Sequence, residues 1–128
     1  MKELTKAEEQ VMQILWHLKK GFVNDILKEI HDPKPAYNTV STIVRILEKK
    51  GFVGYKAYGK THEYFPLISK KEYTRGFFGS LMKNYFSNSY TALASFLAND
   101  KNISINEMED IKALMEEEIE KQKSINNE

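Results

Sequence analysis

The sequence predicts a mainly α-helical chain in which three helices and a β-hairpin are followed by three further helices. Capping signals of the form Ser/Thr-x-x-Glu occur at Thr5, Ser69 and Ser104, each ahead of apolar residues at helical spacing. Between the first two signals the periodicity becomes twofold around Gly59-Lys60, which is typical of a hairpin. With 128 residues the chain can hold one domain of ordinary size, or a small domain with an appendage that needs a partner.

The first helix is predicted from the capping box at Thr5 and from the apolar stripe that follows it. This stripe is expected to face the core with Trp16 beside it, and Gly21 is expected to end the helix. A shorter second helix is indicated by the sequence NDILKEI, with Asn24 or Asp25 as its N-cap. The prolines of HDPKP then bar any continuation of that helix.

The third helix is predicted over residues 36–51, AYNTVSTIVRILEKKG, although six of these residues are β-branched and therefore weak helix formers. Ala36 is a poor N-cap, whereas Gly51 after two lysines is a strong signal for a helix end. The helical interpretation depends on one face, where apolar residues occupy the i, i+3, i+4 and i+7 positions. They are Val40, Ile43, Val44 and Leu47.

The opposite face of the third helix has the chemistry of a surface that reads DNA. Helical geometry places four polar side chains between about 140° and 200° from Val40. They are Asn38, Thr42, Arg45 and Lys49. An amide, a hydroxyl, a guanidinium and an ammonium group suit base edges and phosphates. The alternative is an ordinary solvated face, but such a face usually includes carboxylates, and none is among these four.

The hairpin is predicted from strands near residues 52–58 and 61–65, with basic residues at its tip. The window from Lys34 to Lys60 contains six Lys/Arg and only Glu48 as an anion, so it would attract polyanions unless it is an unevenly charged solvated surface. Residues 1–67 are therefore predicted to form a winged helix-turn-helix whose third helix enters the major groove. His62 could equally point to solvent. The predicted DNA contacts are Tyr37, Asn38, Thr39, Ser41, Thr42, Arg45, Lys49, Lys56, Lys60 and His62.

Residues 68–128 are predicted to form three helices that dimerise. Their apolar and aromatic side chains are too many to be buried within so short a segment, and an exposed patch of this kind is a liability for a monomer. A homodimer is the expected solution, and a helical cap folded back on the first domain is the alternative. The predicted dimerisation residues are Tyr73, Phe77, Leu81, Tyr85, Phe86, Leu93, Leu97, Met108, Ile111 and Met115.

Several functional classes are excluded or disfavoured by composition. No apolar run is long enough to span a membrane, so no membrane insertion and a cytoplasmic location are expected. The chain has no cysteine and its three histidines are far apart, so neither a metal nor another cofactor is expected. No catalytic motif is present, so an enzyme is disfavoured. A winged-helix module that binds proteins instead of DNA is the stronger alternative.

The sequences LTKAEEQVMQILW, NTVSTIVRILEKKGFV and YGKTHEYFPLIS resemble the penicillinase repressor family (BlaI/MecI/CopY) over nearly the whole chain. The resemblance implies a homodimeric winged-helix repressor that binds an inverted-repeat operator. It also implies induction by a membrane sensor metallopeptidase or its protease effector, through cleavage in the C-terminal domain. The corresponding bond here is Ser95–Phe96, where the family's Asn is absent. The cysteine cluster of the copper-responsive branch is also absent.

Overall fold

The computed structural model describes residues 3–127 and confirms the predicted order of elements. In this part of the chain, three helices and a two-stranded antiparallel sheet are followed by three more helices. The elements are α1 (Lys6–Leu18), α2 (Val23–Glu29), α3 (Tyr37–Lys49), β1 (Val53–Tyr58), β2 (Thr61–Pro66), α4 (Lys70–Phe86), α5 (Tyr90–Ala98) and α6 (Ile105–Asn126).

The chain divides into two compact units, Met1–Phe78 and Gly79–Glu128, so the division falls within α4. The first unit has the winged-helix arrangement expected from the sequence, with α1 to α3 followed by the hairpin. The assignment of DNA binding to residues 1–67 and of dimerisation to residues 68–128 stays a prediction.

The predicted capping box of α1 is present, but the helix ends differently from the expectation. The Thr5 hydroxyl accepts from the Glu8 amide, and the Glu8 carboxylate accepts from the Thr5 amide. Lys19, rather than Gly21, is the C-cap, and its φ is positive, at 74°. Gly21 instead exchanges two backbone hydrogen bonds with Tyr64. A single residue of the α1–α2 connection is therefore bridged to the outer edge of β2.

The predicted N-cap of α2 was wrong. Phe22 is the N-cap, and Asp25 lies three residues further on, at N3. The Asp25 carboxylate accepts a hydrogen bond of 2.9 Å from the Phe22 amide. An acidic residue at N3 can cap the backbone of any residue at the N-cap position, so the preference for Asn or Asp at the cap itself misled the sequence interpretation.

The core of the first unit is formed by the apolar faces of the three helices and the base of the hairpin. The predicted inner face of α3 is correct: Val40, Val44 and Leu47 are fully buried and Ile43 packs beside them. Trp16 packs on the same core, as expected, and its indole N–H donates to the Ile68 carbonyl at 2.9 Å. These contacts fix α3 with its polar face outward.

Tyr73 also belongs to this core. Its ring contacts Trp16 and Phe52 at centroid distances of 5.6 and 6.0 Å, and its hydroxyl donates to Glu9 at 2.9 Å. Burial, followed by the hydrogen bond to Glu9, raises the pKa of Tyr73 to about 12. The ring was predicted to lie in a dimer interface, but its burial is explained within one chain.

The second unit has almost no core of its own. Within residues 79–127, Met82 is the single buried residue, and neither α5 nor α6 contains one. Both helices are capped at their N-termini: the Ser89 hydroxyl accepts from the Ala92 amide, and Ser104 and Glu107 form the capping box that the sequence predicted. Both helices therefore have capped N-termini, while their apolar side chains remain largely exposed in the single chain.

Candidate DNA interface

The outward face of α3 is exposed as the sequence predicted. Three of its residues, Asn38, Arg45 and Lys49, are exposed, and in the described part of the chain neither of the two cations forms a salt bridge. Glu48, the carboxylate on the same helix, is half-buried. The exposed groups are therefore donors, apart from the carbonyl oxygen of Asn38, which suits an acceptor-rich duplex. Tyr37, Thr39 and Thr42 are also exposed, and Ser41 is half-buried.

The hydroxyl proton of Thr42 is already used in a hydrogen bond within α3, so its methyl group is the more available part of the side chain. Its hydroxyl donates to the Asn38 carbonyl, one turn earlier, at 2.9 Å. This common back-bond occupies the proton and leaves the oxygen lone pairs and the methyl group for other contacts. Thr42 is thus suited to an apolar contact or to accepting a hydrogen bond, and is poorly suited to donating one to a phosphate.

The wing consists of β1 and β2, joined at Gly59-Lys60 with the two-residue loop that the sequence predicts. Lys56 and Lys60 are both exposed, and the Lys56 ammonium lies 5.3 Å from the centroid of the Tyr58 ring. These two cations can reach phosphates beside a groove occupied by α3.

His62 does not lie on the same face of the hairpin as Lys56. It pairs with Ala57 across the hairpin, so its side chain is on the opposite face from the neighbouring Lys56. The imidazole stacks on the Tyr55 ring with a centroid distance of 4.1 Å and an angle of 9° between the ring planes. Tyr55, which the sequence analysis did not select, is exposed at this position. Tyr55 pairs with Tyr64 and lies on the same face of the hairpin as Ala57 and His62, so the alternation of side chains along the two strands is the signal that could have revealed it.

Lys50 is one of the six cations between Lys34 and Lys60, but its charge is neutralised by Glu8. Its ammonium lies 2.6 Å from one oxygen of the Glu8 carboxylate and 3.0 Å from the other. Burial by itself would raise the pKa of the Glu8 carboxyl, but hydrogen bonds from Lys50 and from the Thr5 amide hold that pKa below its ordinary value of 4.5. No sequence pattern predicted this pair because its members are 42 residues apart.

Tyr64 lies beneath the junction of α3 and the wing. Burial raises the pKa of its phenol, the nearby Glu48 carboxylate raises it further, and Arg45 opposes both. Tyr64 on β2 is therefore close enough to Glu48 and Arg45 of α3 for their charges to affect its phenol.

The predicted dimerisation residues fall into two groups. Phe77, Tyr85 and Met115 are among the exposed large apolar side chains, together with Leu97 and Ile111. The half-buried members are Tyr73, Leu81, Phe86, Leu93 and Met108.

The predicted cleavage position lies in α5. Ser95 and Phe96 are both exposed on this nine-residue helix. The Phe96 ring contacts Phe86 at a centroid distance of 5.7 Å.

Neither a metal centre nor a membrane span is found in the described structure. Among residues 3–127, no three His, Asp or Glu side chains cluster as the ligands of an ion would. The helices over the same residues include none with the length and apolar character needed to cross a bilayer.

Comparison with known proteins identifies the family. The family described as Penicillinase repressor matches residues 4–117. The chain is 25% identical over 114 residues to the methicillin resistance regulatory protein MecI of Staphylococcus aureus (strain N315), and this alignment covers 88% of this chain and 93% of the relative. It is 24% identical over 117 residues to the penicillinase repressor of Bacillus licheniformis, covering 90% of this chain and 91% of the relative. The solution structure of the DNA binding domain of the repressor BlaI aligns with a TM-score of 0.49 and 27% identity, over 57% of this chain and 94% of that chain. Since the family match spans most of the chain, this protein belongs to the penicillinase repressor family.

Proposed function

We propose that the protein is a transcriptional repressor that binds an inverted-repeat operator as a homodimer, with one α3 helix in each half-site. Membership of a family of repressors supports the regulatory role. The observation that carries the DNA-binding part is the outward face of α3, where Asn38, Arg45 and Lys49 are exposed without a carboxylate among them. Such a surface suits bases and phosphates, and does not suit a protein partner of mixed charge.

The homodimer is supported by the exposed apolar side chains of the second unit. Met115, Leu114 and Ile119 on α6 are about half exposed or more in the single chain. A second copy is the occupant that covers such a stripe without requiring another gene product, and a two-fold dimer would present two α3 helices to two half-sites. The four exposed cations of α3 and the wing, Arg45, Lys49, Lys56 and Lys60, would bind DNA weakly in a single chain at physiological salt, so pairing raises the affinity.

The test is a mobility-shift titration of the full chain with a duplex from upstream of its own coding sequence. Asn38→Ala and Arg45→Ala should each weaken binding by about 1–3 kcal/mol per half-site, the range for losing a good base contact. Arg75→Ala removes the chain's other arginine, which is exposed on α4, and serves as the matched control. Unchanged affinity of both α3 variants would favour the alternative, a winged-helix module that binds proteins.

We also propose that repression is relieved by cleavage in the second unit, near Ser95–Phe96. Without a buried residue, α5 has little tertiary packing to resist local unfolding, and a protease needs an extended substrate. Cleavage there would separate α6 from the rest of the chain, weaken the dimer and so release the operator. A chain truncated after Ser95 should therefore be monomeric in sedimentation velocity and bind the upstream duplex weakly. A dimeric truncated chain with full affinity would contradict the proposal.

A further inference from the structure

The C-terminal end of α3 is fastened to the N-terminal end of α1 by a pair of charged residues. Lys50 is the C-cap of α3, and Glu8 lies in the first turn of α1. Only 4% of the Glu8 surface is exposed, although it is a carboxylate. Buried carboxylates are rare unless they are paired, so the position of Lys50 is set by the need to neutralise Glu8.

The hydrogen-bonding capacity of Lys50 is used up inside the protein. An ammonium group has three N–H donors. The structure supplies three acceptors, namely the two Glu8 oxygens at 2.6 and 3.0 Å and the Glu3 carbonyl at 3.2 Å. The Glu8 carboxylate also accepts from the Thr5 amide at 3.0 Å, so the pair is joined to the start of α1 at several points. Its neighbour Lys49, in contrast, is exposed and forms no salt bridge among residues 3–127.

We propose that the pair formed by Glu8 and Lys50 positions the recognition helix for its operator, and that Lys50 does not itself contact phosphate. This inference rests on the proposed DNA-binding function. Apolar contacts of Val40, Val44 and Leu47 hold α3 against the core, but such contacts are non-directional and permit small rotations. Three directed hydrogen bonds from the last turn fix the rotation and the axial position of α3. Reading of base edges depends on that placement, whereas non-specific attraction to phosphates does not.

The experiment compares full-length Glu8→Gln, Lys50→Gln, the double variant and Lys50→Arg. Each is titrated against the upstream duplex and against a scrambled duplex of equal length, at several salt concentrations. Glu8→Gln keeps the oxygen that accepts from Thr5 and buries no unpaired carboxylate, so it should remain folded even if Lys50→Gln does not. Circular dichroism melts establish which variants are folded at the temperature of the titration.

Positioning predicts a particular pattern of results. Glu8→Gln, Lys50→Gln and the double variant should each lose roughly tenfold in affinity for the upstream duplex, because breaking either half releases the same contact. Affinity for the scrambled duplex and the salt dependence should stay at the wild-type values, and Lys50→Arg should bind like the wild type. Lys49→Gln, as the contrast, should reduce the slope of log affinity against log salt by about 1.8 for a dimer, which is 0.9 for each lost phosphate contact.

A direct contact of Lys50 with phosphate would change the DNA affinity of the Glu8 variant in the opposite direction. If Lys50 were a phosphate ligand held in reserve by Glu8, then Glu8→Gln would strengthen binding to both duplexes and Lys50→Gln would reduce the salt slope as Lys49→Gln does. Either result would overturn the inference, and so would wild-type discrimination between the duplexes in a folded Glu8→Gln protein. Failure of the wild-type protein to prefer the upstream duplex would instead count against the proposed function.

Discussion

Replacement of Met115 on α6 by alanine should weaken the proposed homodimer by an amount that follows from the exposure of this side chain in the single chain. The residue is 59% exposed in the single chain, although it belongs to an apolar stripe. Complete burial of a Met side chain contributes about 1.5–3 kcal/mol, so covering the exposed fraction in a dimer would contribute about 0.9–1.8 kcal/mol per copy. Since both copies change together, Met115→Ala should raise the dissociation constant of the dimer about 20- to 400-fold.

Sedimentation equilibrium over a wide range of protein concentration measures this constant directly. Glu117→Ala is the matched control, because Glu117 lies on the same helix, is similarly exposed and faces the side opposite Met115. Its dissociation constant should stay close to that of the wild type. The reasoning is refuted if Met115→Ala and Glu117→Ala shift the equilibrium equally, or if the wild-type chain is a monomer at concentrations where DNA binding is saturated.

Three further predictions concern the first unit. Because the pKa of Glu8 is lowered in the folded protein, its contribution to stability is present above about pH 4.5 and is lost as the pH falls through the folded pKa. The free energy of unfolding of Glu8→Gln, measured with urea, should therefore change less between about pH 5 and pH 3 than that of the wild type. The pKa of Tyr73 is raised to about 12, so its contribution to stability is present below pH 10 and is lost as the pH rises towards 12. Tyr73→Phe should remove the transition at the highest pH from the ultraviolet titration of the tyrosines. An unchanged titration curve would contradict the raised pKa of Tyr73. Gly51 has a φ of +83°, so Gly51→Ala should lower the free energy of unfolding by about 1 kcal/mol, whereas Gly79→Ala, in a helix with open space around the new methyl group, should cause no loss.

The elements that were predicted correctly from sequence are those specified by neighbouring residues. The capping residues Thr5, Ser69 and Ser104 each accept from the amide three residues later, and the Gly59-Lys60 loop closes a hairpin between adjacent strands. The orientation of α3 followed from a single helical period, so its inner and outer faces were both assigned correctly. Local hydrogen bonds and periodicity are what a single sequence records most directly.

The features that the sequence interpretation missed depend on contacts between distant segments. Lys50 was counted with the basic surface because its partner Glu8 is 42 positions away. Gly21 was read as a helix end, although its position is set by pairing with Tyr64 across the fold. The packing of Tyr73 on Trp16, 57 positions earlier, has no local signature either, while the assignment of Tyr73 to a dimer interface stays a prediction. Each of these features concerns the partner that a residue contacts, and none concerns the type of element in which the residue lies.

The near absence of buried residues in the second unit has a consequence for the lifetime of the protein in the cell. If α5 and α6 gain their core only by pairing, a newly made chain stays open until it meets another, and the stability of the unit cannot be separated from chain concentration. If the rate of degradation is proportional to the fraction of chains in which this unit is unfolded, monomers would be degraded faster than dimers. The quantity of active regulator would rise more steeply than its rate of synthesis, and a small fall in expression would be amplified into derepression.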